Sequence, residues 1–374
     1  MKFTINKKNF LDVLSKIQGI TGRKSNLVIT ENILIKSTDS GISIIATDLE
    51  TSFEGYYSAT IEKEGVIVIN AKKFFEIIKN FPSDEISITE VENRWLEIKN
   101  HNVEYHIVSM NPDDFPETDQ FEDIVFCEIE SSALKKMIDK VVMIAVASDE
   151  KRTYIKGVNF ERIDKGEGEE KIVRMVSTDA KRLSKVDYFY DKKIEFPTGE
   201  SVMIPKKGLS EVGKFLDDED KVRIGIKDNH FIVKKNNENI NITLLEGDFP
   251  EYNDIIAHED ENEIELDKKL FLMMLKRMSI LSSDNYKGVI FNFEDNQLVI
   301  NTTNPDIGES REEMPIEFEK ERIEVAFNPK YFIETLNVID SDKIILNIKN
   351  HENPCLINGK DDKTFLSIIM PMKI

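Results

Sequence analysis

The four residues DFPE occur twice in this chain, at positions 114–117 and 248–251. The stretches around them repeat as well, so the chain must build one supersecondary unit several times over. Six segments carry apolar residues at helical spacing. They hold Phe10, Val13, Leu14 and Ile17; Phe74, Ile77, Ile78 and Phe81; Leu134, Met137, Ile138 and Val141; Leu209, Val212 and Leu216; Phe271, Met274, Leu275 and Met278; and Phe332, Leu336 and Ile339. The predicted helices begin near residues 6, 70, 131, 205, 267 and 328. Asn6, Asn70, Asp267 and Asn328 are capping residues, the last followed by Pro329 at the first helical position. Short β runs such as GISIIAT, KIVRMVST, HFIVKK and KIILNIK lie between the helices, separated by polar turns. Thr47-Asp48 recurs as Thr178-Asp179 and, loosely, as Thr303-Asn304. The pattern predicts an α+β chain of three modules, 1–122, 123–257 and 258–374, in which a continuous sheet backs a row of six helices.

Composition narrows the class. The chain has 374 residues, 40% of them hydrophobic and 32% charged. No apolar run is long enough to span a bilayer, and the opening MKFTINKKNF lacks the apolar stretch of a secretory signal. Cys127 and Cys355 are the only cysteines, which fits a reducing cytoplasm rather than a disulfide framework. The closest histidines, His101 and His106, sit in a strand-like stretch and read as surface positions, not as a metal site.

The formal net charge is −20. Taken whole, that argues against nucleic acid. The distribution argues otherwise: the six helical segments carry a net +9, leaving −29 on the sheets and loops. Lys7-Lys8, Lys72-Lys73, Lys206-Lys207, Lys268-Lys269 and Lys330 all fall in first helical turns, where a cation costs about 0.3–1 kcal/mol against the helix dipole. One reading is a lysine-rich sequence with solvated lysines everywhere. The other is that exposed amides and ammonium groups, Lys206 and Lys207 among them, face a polyanion together. Helices pack ~8–10 Å apart, so six in a circle leave an opening of only about 9 Å once a helix diameter is subtracted. Twelve helices from two chains leave roughly 28 Å, enough for a duplex on the order of 20 Å across.

Several segments together resemble the bacterial β sliding clamps. They are the opening MKFTI, ATDLE at 46–50, MNPDDFPE at 110–117, STDAKRL at 177–183, GDFPEY at 247–252, FNPKY at 327–331 and the terminal IIMPMKI. The resemblance covers the whole chain. It implies three repeated clamp domains and a head-to-tail homodimer closing into a ring around double-stranded DNA without sequence preference. A clamp loader would open that ring, and replicative and other polymerases would dock short peptide motifs in a hydrophobic cleft. No cofactor, metal, membrane association or catalysis is implied. On matching positions the cleft would use Ile155, Thr178, Lys181, Arg182, Leu183, Pro250 and Ile255. It would also use Tyr286, Asn328, Tyr331, Ile368, Met370, Pro371 and Met372. DNA contacts would fall at Lys24, Lys72, Arg152 and Tyr154, and the ring seam at Lys73, Tyr105, Ile107, Ile280 and Leu281. The chain departs from the family pattern at Ala180-Lys181, where Gly-His is frequent, and at Asp254, where Arg is frequent.

Catalytic motifs fare poorly beside this. GITGRKS at 19–25 has two residues between its glycines, where a phosphate loop needs four, and a helix precedes it. GEGEEK at 166–171 reads as a polar hairpin turn. The acidic clusters at 258–263 and 359–362 read as solvated loops rather than a two-metal site. A nucleotide- or metal-dependent DNA enzyme and a protein-binding repeat scaffold are the competing readings.

Overall fold

A computed structural model describes residues 1–21, 28–100, 102–119, 121–147, 149–164, 171–190, 201–217, 221–257, 263–282 and 288–373. Six helices form on the expected stripes: α1 Lys7–Lys16, α2 Ala71–Asn80, α3 Ser131–Val142, α4 Lys206–Phe215, α5 Lys268–Met278 and α6 Pro329–Val338. The stripe residues are buried in every case, with Ile77 the half-buried exception. The caps act as expected. The side chain of Asn6 accepts from the amides of Lys8 and Asn9, that of Asn70 from Lys73, that of Asp267 from Leu270 and that of Asn328 from Lys330. Equivalent phenylalanines join the helix pairs of the first and third repeats. The Phe10 and Phe74 rings meet edge-on at 5.2 Å, and those of Phe271 and Phe332 at 6.0 Å.

The strands do not merge into one continuous sheet. Among the described residues there are four antiparallel sheets, divided between two compact units. One unit, chiefly residues 1–135 and 207–244, holds a five-stranded sheet of the first repeat alone. It also holds an eight-stranded sheet in which Glu238–Thr243 of the second repeat pairs with Thr51–Ser58 of the first, setting Ile240 opposite Phe53. The other unit holds a four-stranded sheet of the third repeat alone and a second eight-stranded sheet. There Arg182–Tyr190 of the second repeat pairs with Asp362–Ile369 of the third, setting Leu183 opposite Ile368. Each repeat thus closes an exposed strand edge by pairing it with its neighbour, which satisfies backbone groups that would otherwise invite aggregation. The middle repeat contributes strands to both units. The five-stranded sheet ends on Val103–Val108, whose only strand partner among the described residues is Trp95–Asn100.

Candidate functional site

The hairpin joining Lys171–Thr178 to Arg182–Tyr190 is held by its own side chains. Thr178 Oγ1 donates to the Arg182 carbonyl (2.7 Å) and accepts from the Ala180 amide (3.1 Å). Asp179 Oδ1 accepts from the amides of Lys181 and Arg182, both at 3.0 Å. These bonds hold Ala180 at φ +70°, a left-handed conformation that costs a residue with a Cβ. The first repeat builds the same turn: Thr47 Oγ1 accepts from the Leu49 amide, Asp48 Oδ1 accepts from Glu50 and Thr51, and Leu49 sits at φ +77°. The repeated Thr-Asp pair is therefore a repeated turn.

In the second repeat this turn forms one wall of an apolar cavity of about 210 Å³. Asp179 Oδ2 accepts from Arg182 Nε at 3.0 Å, Arg182 Nη1 pairs with Glu334, and the guanidinium carbon lies 4.3 Å from the Tyr331 ring centroid. Leu183 and Ile368 form the floor with Val176, Leu356 and Tyr252. Phe249 and Tyr252, rings 6.1 Å apart edge-on, flank Pro250 in the GDFPEY segment at 247–252, and the short helix Asn253–Ile256 presents Ile255, 39% exposed. The chain end completes the cleft. The Met370 amide donates to the Lys181 carbonyl at 2.9 Å and the Met372 amide to the Ala326 carbonyl at 2.8 Å, so Met370 hangs over the opening at 42% exposure. Methionine on such a rim adapts to differently shaped partners.

A buried ion cluster supports the back of this cleft. The Tyr252 hydroxyl donates to Glu161 and lies within electrostatic reach of Arg174. Arg174 Nε and Nη2 donate to Asp187 at 2.6 and 3.0 Å, and Lys185 Nζ donates to the same carboxylate at 2.6 Å. Arg174, Lys185 and Asp187 are each less than a tenth exposed. Burial opposes the charge on Asp187, but the two cations outweigh it and hold its carboxyl below the usual range.

Of the anticipated cleft residues, Thr178, Arg182, Leu183, Pro250, Ile255, Ile368 and Met370 line the cavity. Ile155 is buried, 2% exposed, and does not line it. Lys181 is exposed at the turn tip, and Pro371 and Met372 are half-buried along the tail. Asn328 caps α6, and Tyr331 lies under Arg182. Tyr286 lies outside the described residues. Ala180, the departure from the family pattern noted above, also lines the cavity, as do Phe249, Glu251 and Tyr252, which the cleft positions left out although Phe249 and Glu251 stand in the repeated DFPE motif beside Pro250.

The basic positions require corrections. Tyr154, expected at DNA, lines the apolar cavity. Lys206 is 5% exposed, so it presents no charge to a polyanion; its Nζ donates to the carbonyls of Ile144 (3.2 Å) and Thr178 (3.3 Å). Lys7 likewise donates to the carbonyl of Phe81 at the end of α2, and Lys268 to that of Ile339 at the end of α6 (2.6 Å). One first-turn lysine in each repeat therefore bonds a carbonyl at or just beyond the end of the partner helix. The unfavourable dipole of its own helix is offset by carbonyls that favour a cation. Lys207 Nζ is 2.5 Å from Asp48 and 3.2 Å from Glu50, so its charge is largely neutralised. Arg152 makes a bidentate pair with Glu150 at 2.9 and 2.8 Å. Lys72 and Lys73 are exposed, the latter 3.2 Å from Glu76. Lys24 lies outside the described residues.

Burial lowers the pKa of Lys206 from 10.5 to about 8, with Asp179 opposing the shift. Below about pH 8 the folded chain carries this penalty in full; it fades as pH rises toward 10.5, so stability increases with pH across that window. Urea unfolding at about pH 7.5 and pH 10 is expected to show wild type gaining on the order of 2–3 kcal/mol relative to Lys206→Met. A wild-type-minus-variant difference that ignores pH would contradict this.

Of the seam positions, Tyr105 is 37% and Ile280 74% exposed, while Ile107 and Leu281 are half-buried. Tyr105 and Ile107 lie on the free edge strand. That strand also sets His106 among carboxylates. Pairing puts Glu97 opposite His106, and the ligand atoms of Glu97, Glu104 and His106 lie within 4.8 Å of one another. Lys99, 3.4 Å from Glu104, makes this an exposed ion cluster.

The chain's relatives agree with the repeat. Models of the DNA polymerase III beta subunit match in tandem: the N-terminal domain at residues 1–119, the central domain at 128–251 and the C-terminal domain at 253–373. The chain is 28% identical over 388 aligned positions to the beta sliding clamp of Bacillus subtilis, covering 100% of both. It is similar to the crystal structure of the Bacillus subtilis sliding clamp, with TM-score 0.90, 26% identity and coverage of 100% and 99%. It is also similar to a sliding clamp from Pseudomonas aeruginosa bound to griselimycin, with TM-score 0.89, 25% identity and full coverage of both chains. Three domain models in order along nearly the whole length, over a fold that repeats its helix pairs and its Thr-Asp turn, leave one assignment: this chain belongs to the DNA polymerase III beta subunit family, the bacterial sliding clamps.

Proposed function

We propose that this protein is a processivity factor of DNA replication, a ring-shaped homodimer that encircles duplex DNA and tethers polymerases without catalysis of its own. The observation that carries the reading is the tandem match of three clamp domains along the full chain. The three domains are taken as 1–122, 123–257 and 258–374. Retention on DNA then comes from topology, so a chain with net charge −20 does not need strong phosphate contacts. That agrees with lysines spent on helix ends and carboxylates. Lys72 is exposed and, with Lys24 and Arg152, is the proposed lining of the hole. The free edge strand with Tyr105 and Ile107, and exposed Ile280 with Leu281, are the proposed seam, formed head to tail and opened by a clamp loader. The apolar cavity beside Met370 is the proposed dock for short peptides of replicative and other polymerases. No described helix is long and apolar enough to cross a membrane; the proposed place of work is the cytoplasm, with the DNA.

Primer extension with a loader and a replicative polymerase tests the tethering directly. Adding this protein is expected to lengthen products made in a single binding event, and Leu183→Arg, which puts a charge on the cleft floor, to abolish the gain. Unchanged product length would refute the reading.

A further inference from the structure

The cleft carries an asymmetry of charge that points to the chemistry of its partner. Its one lining cation, Arg182, has a side chain only 4% exposed and is already held by Asp179 and Glu334. Its one lining anion, Glu251, is exposed. Glu251 belongs to the segment Glu246–Asp254, which also carries exposed Glu246, Asp248 and Asp254 and contains no lysine or arginine. None of these four carboxylates makes an ion pair among the described residues. The same segment supplies Phe249, Pro250 and Tyr252 to the apolar lining, and Ile255 follows directly after it. One lip of the cleft is therefore apolar inward and uniformly acidic outward. The exposed cations near other lining residues are Lys181 in the turn, Lys373 in the tail, and Lys156 and Arg152 on either side of Tyr154, the last held by Glu150.

We propose that the preferred occupant is a peptide whose apolar anchor is flanked by lysine or arginine, the basic flank lying along Glu246–Asp254. The inference rests on the cavity being a peptide dock. An apolar anchor sets affinity through burial, and charges at the rim set partner choice and encounter rate. Four carboxylates without protein partners favour a cation beside them, and they repel an acidic flank at the same distance.

The test is a selection from peptides with randomised apolar anchors and randomised flanks against the whole protein. Enrichment of Lys and Arg over Asp and Glu in the flanks is expected. A selected peptide should bind at least about fivefold more tightly than its counterpart with glutamate flanks at ~50 mM salt, and the ratio should shrink toward one at ~0.5 M. The net charge of the whole chain would favour basic peptides anywhere, so the lip must be separated from the bulk. Glu251→Gln with Asp254→Asn should erase most of the discrimination. Glu319→Gln with Glu321→Gln removes as much charge from residues that do not line the cavity, and should leave the discrimination intact. Equal losses in both double variants, or enrichment of neutral or acidic flanks, would overturn the proposal while leaving the dock in place. No enriched peptides at all would overturn the dock and the proposal with it.

Discussion

Replacing Ile280 by aspartate is expected to convert the dimer to a monomer. Ile280 is 74% exposed in the single chain, a large apolar side chain two residues past the end of α5 that the proposed seam would cover. An aspartate there would be desolvated without a partner, at a cost of several kcal/mol, which raises the dissociation constant about a hundredfold or more. Sedimentation at micromolar protein should show one chain's mass where wild type shows two. The folded chain should be unaffected, because the side chain is already in solvent. Ile280→Ser, which loses the apolar contact but buries no charge, should weaken the dimer less. A variant that stays dimeric with the aspartate in place would move the seam elsewhere.

The second large effect concerns the cluster behind the cleft. Asp187 is the carboxylate shared by Arg174 and Lys185, all three buried. Asp187→Ala leaves two cations in a low-dielectric interior without it. Breaking a buried pair in this way costs about 3–5 kcal/mol. The loss should appear as a lower denaturation midpoint in urea, and it should propagate to function. Arg174 interacts electrostatically with the Tyr252 hydroxyl, and Tyr252 lines the cavity. Peptide affinity should fall even at temperatures where the variant is fully folded. The pH dependence has a definite sign. The folded-state pKa of Asp187 is depressed, so its stabilisation is present above the unfolded value of 3.8 and is lost as pH falls below it. Wild type should therefore lose its advantage over Asp187→Ala in acid. A variant with an unchanged midpoint would show that the cluster contributes nothing net.

How much of this could be read from the chain depends on how local the cause is. Helices α1 to α6 announce themselves because their causes are local: an apolar stripe and, at four starts, a capping Asn or Asp. The Thr-Asp turn is legible for the same reason. The direction of the first-turn lysines is not. Whether Lys7 or Lys206 meets solvent or the carbonyl of another helix depends on which helix end lies beside it, and no window of sequence records that. The cleft is less local still. Leu183 and Ile368 become neighbours only because a strand of the second repeat pairs with the last strand of the chain. Its residues come from family resemblance, and of the parts that resemblance passed over, Phe249 and Glu251 lie in the motif that repeats most visibly and Tyr252 directly follows it. The single continuous sheet failed for a related reason: the repeats predict like strands, but which edges meet is decided by packing.

The central claim is that DNA is held by enclosure rather than by grip, and topological retention tests it most directly. The protein is loaded on a nicked circular duplex, the salt is raised to about 0.5 M or more, where phosphate contacts are largely screened, and the circle is then linearised. The account predicts retention through the salt wash on the closed circle and release once ends exist. Loss on the closed circle in salt, despite a competent loader, or equal retention on circle and linear duplex, would contradict it.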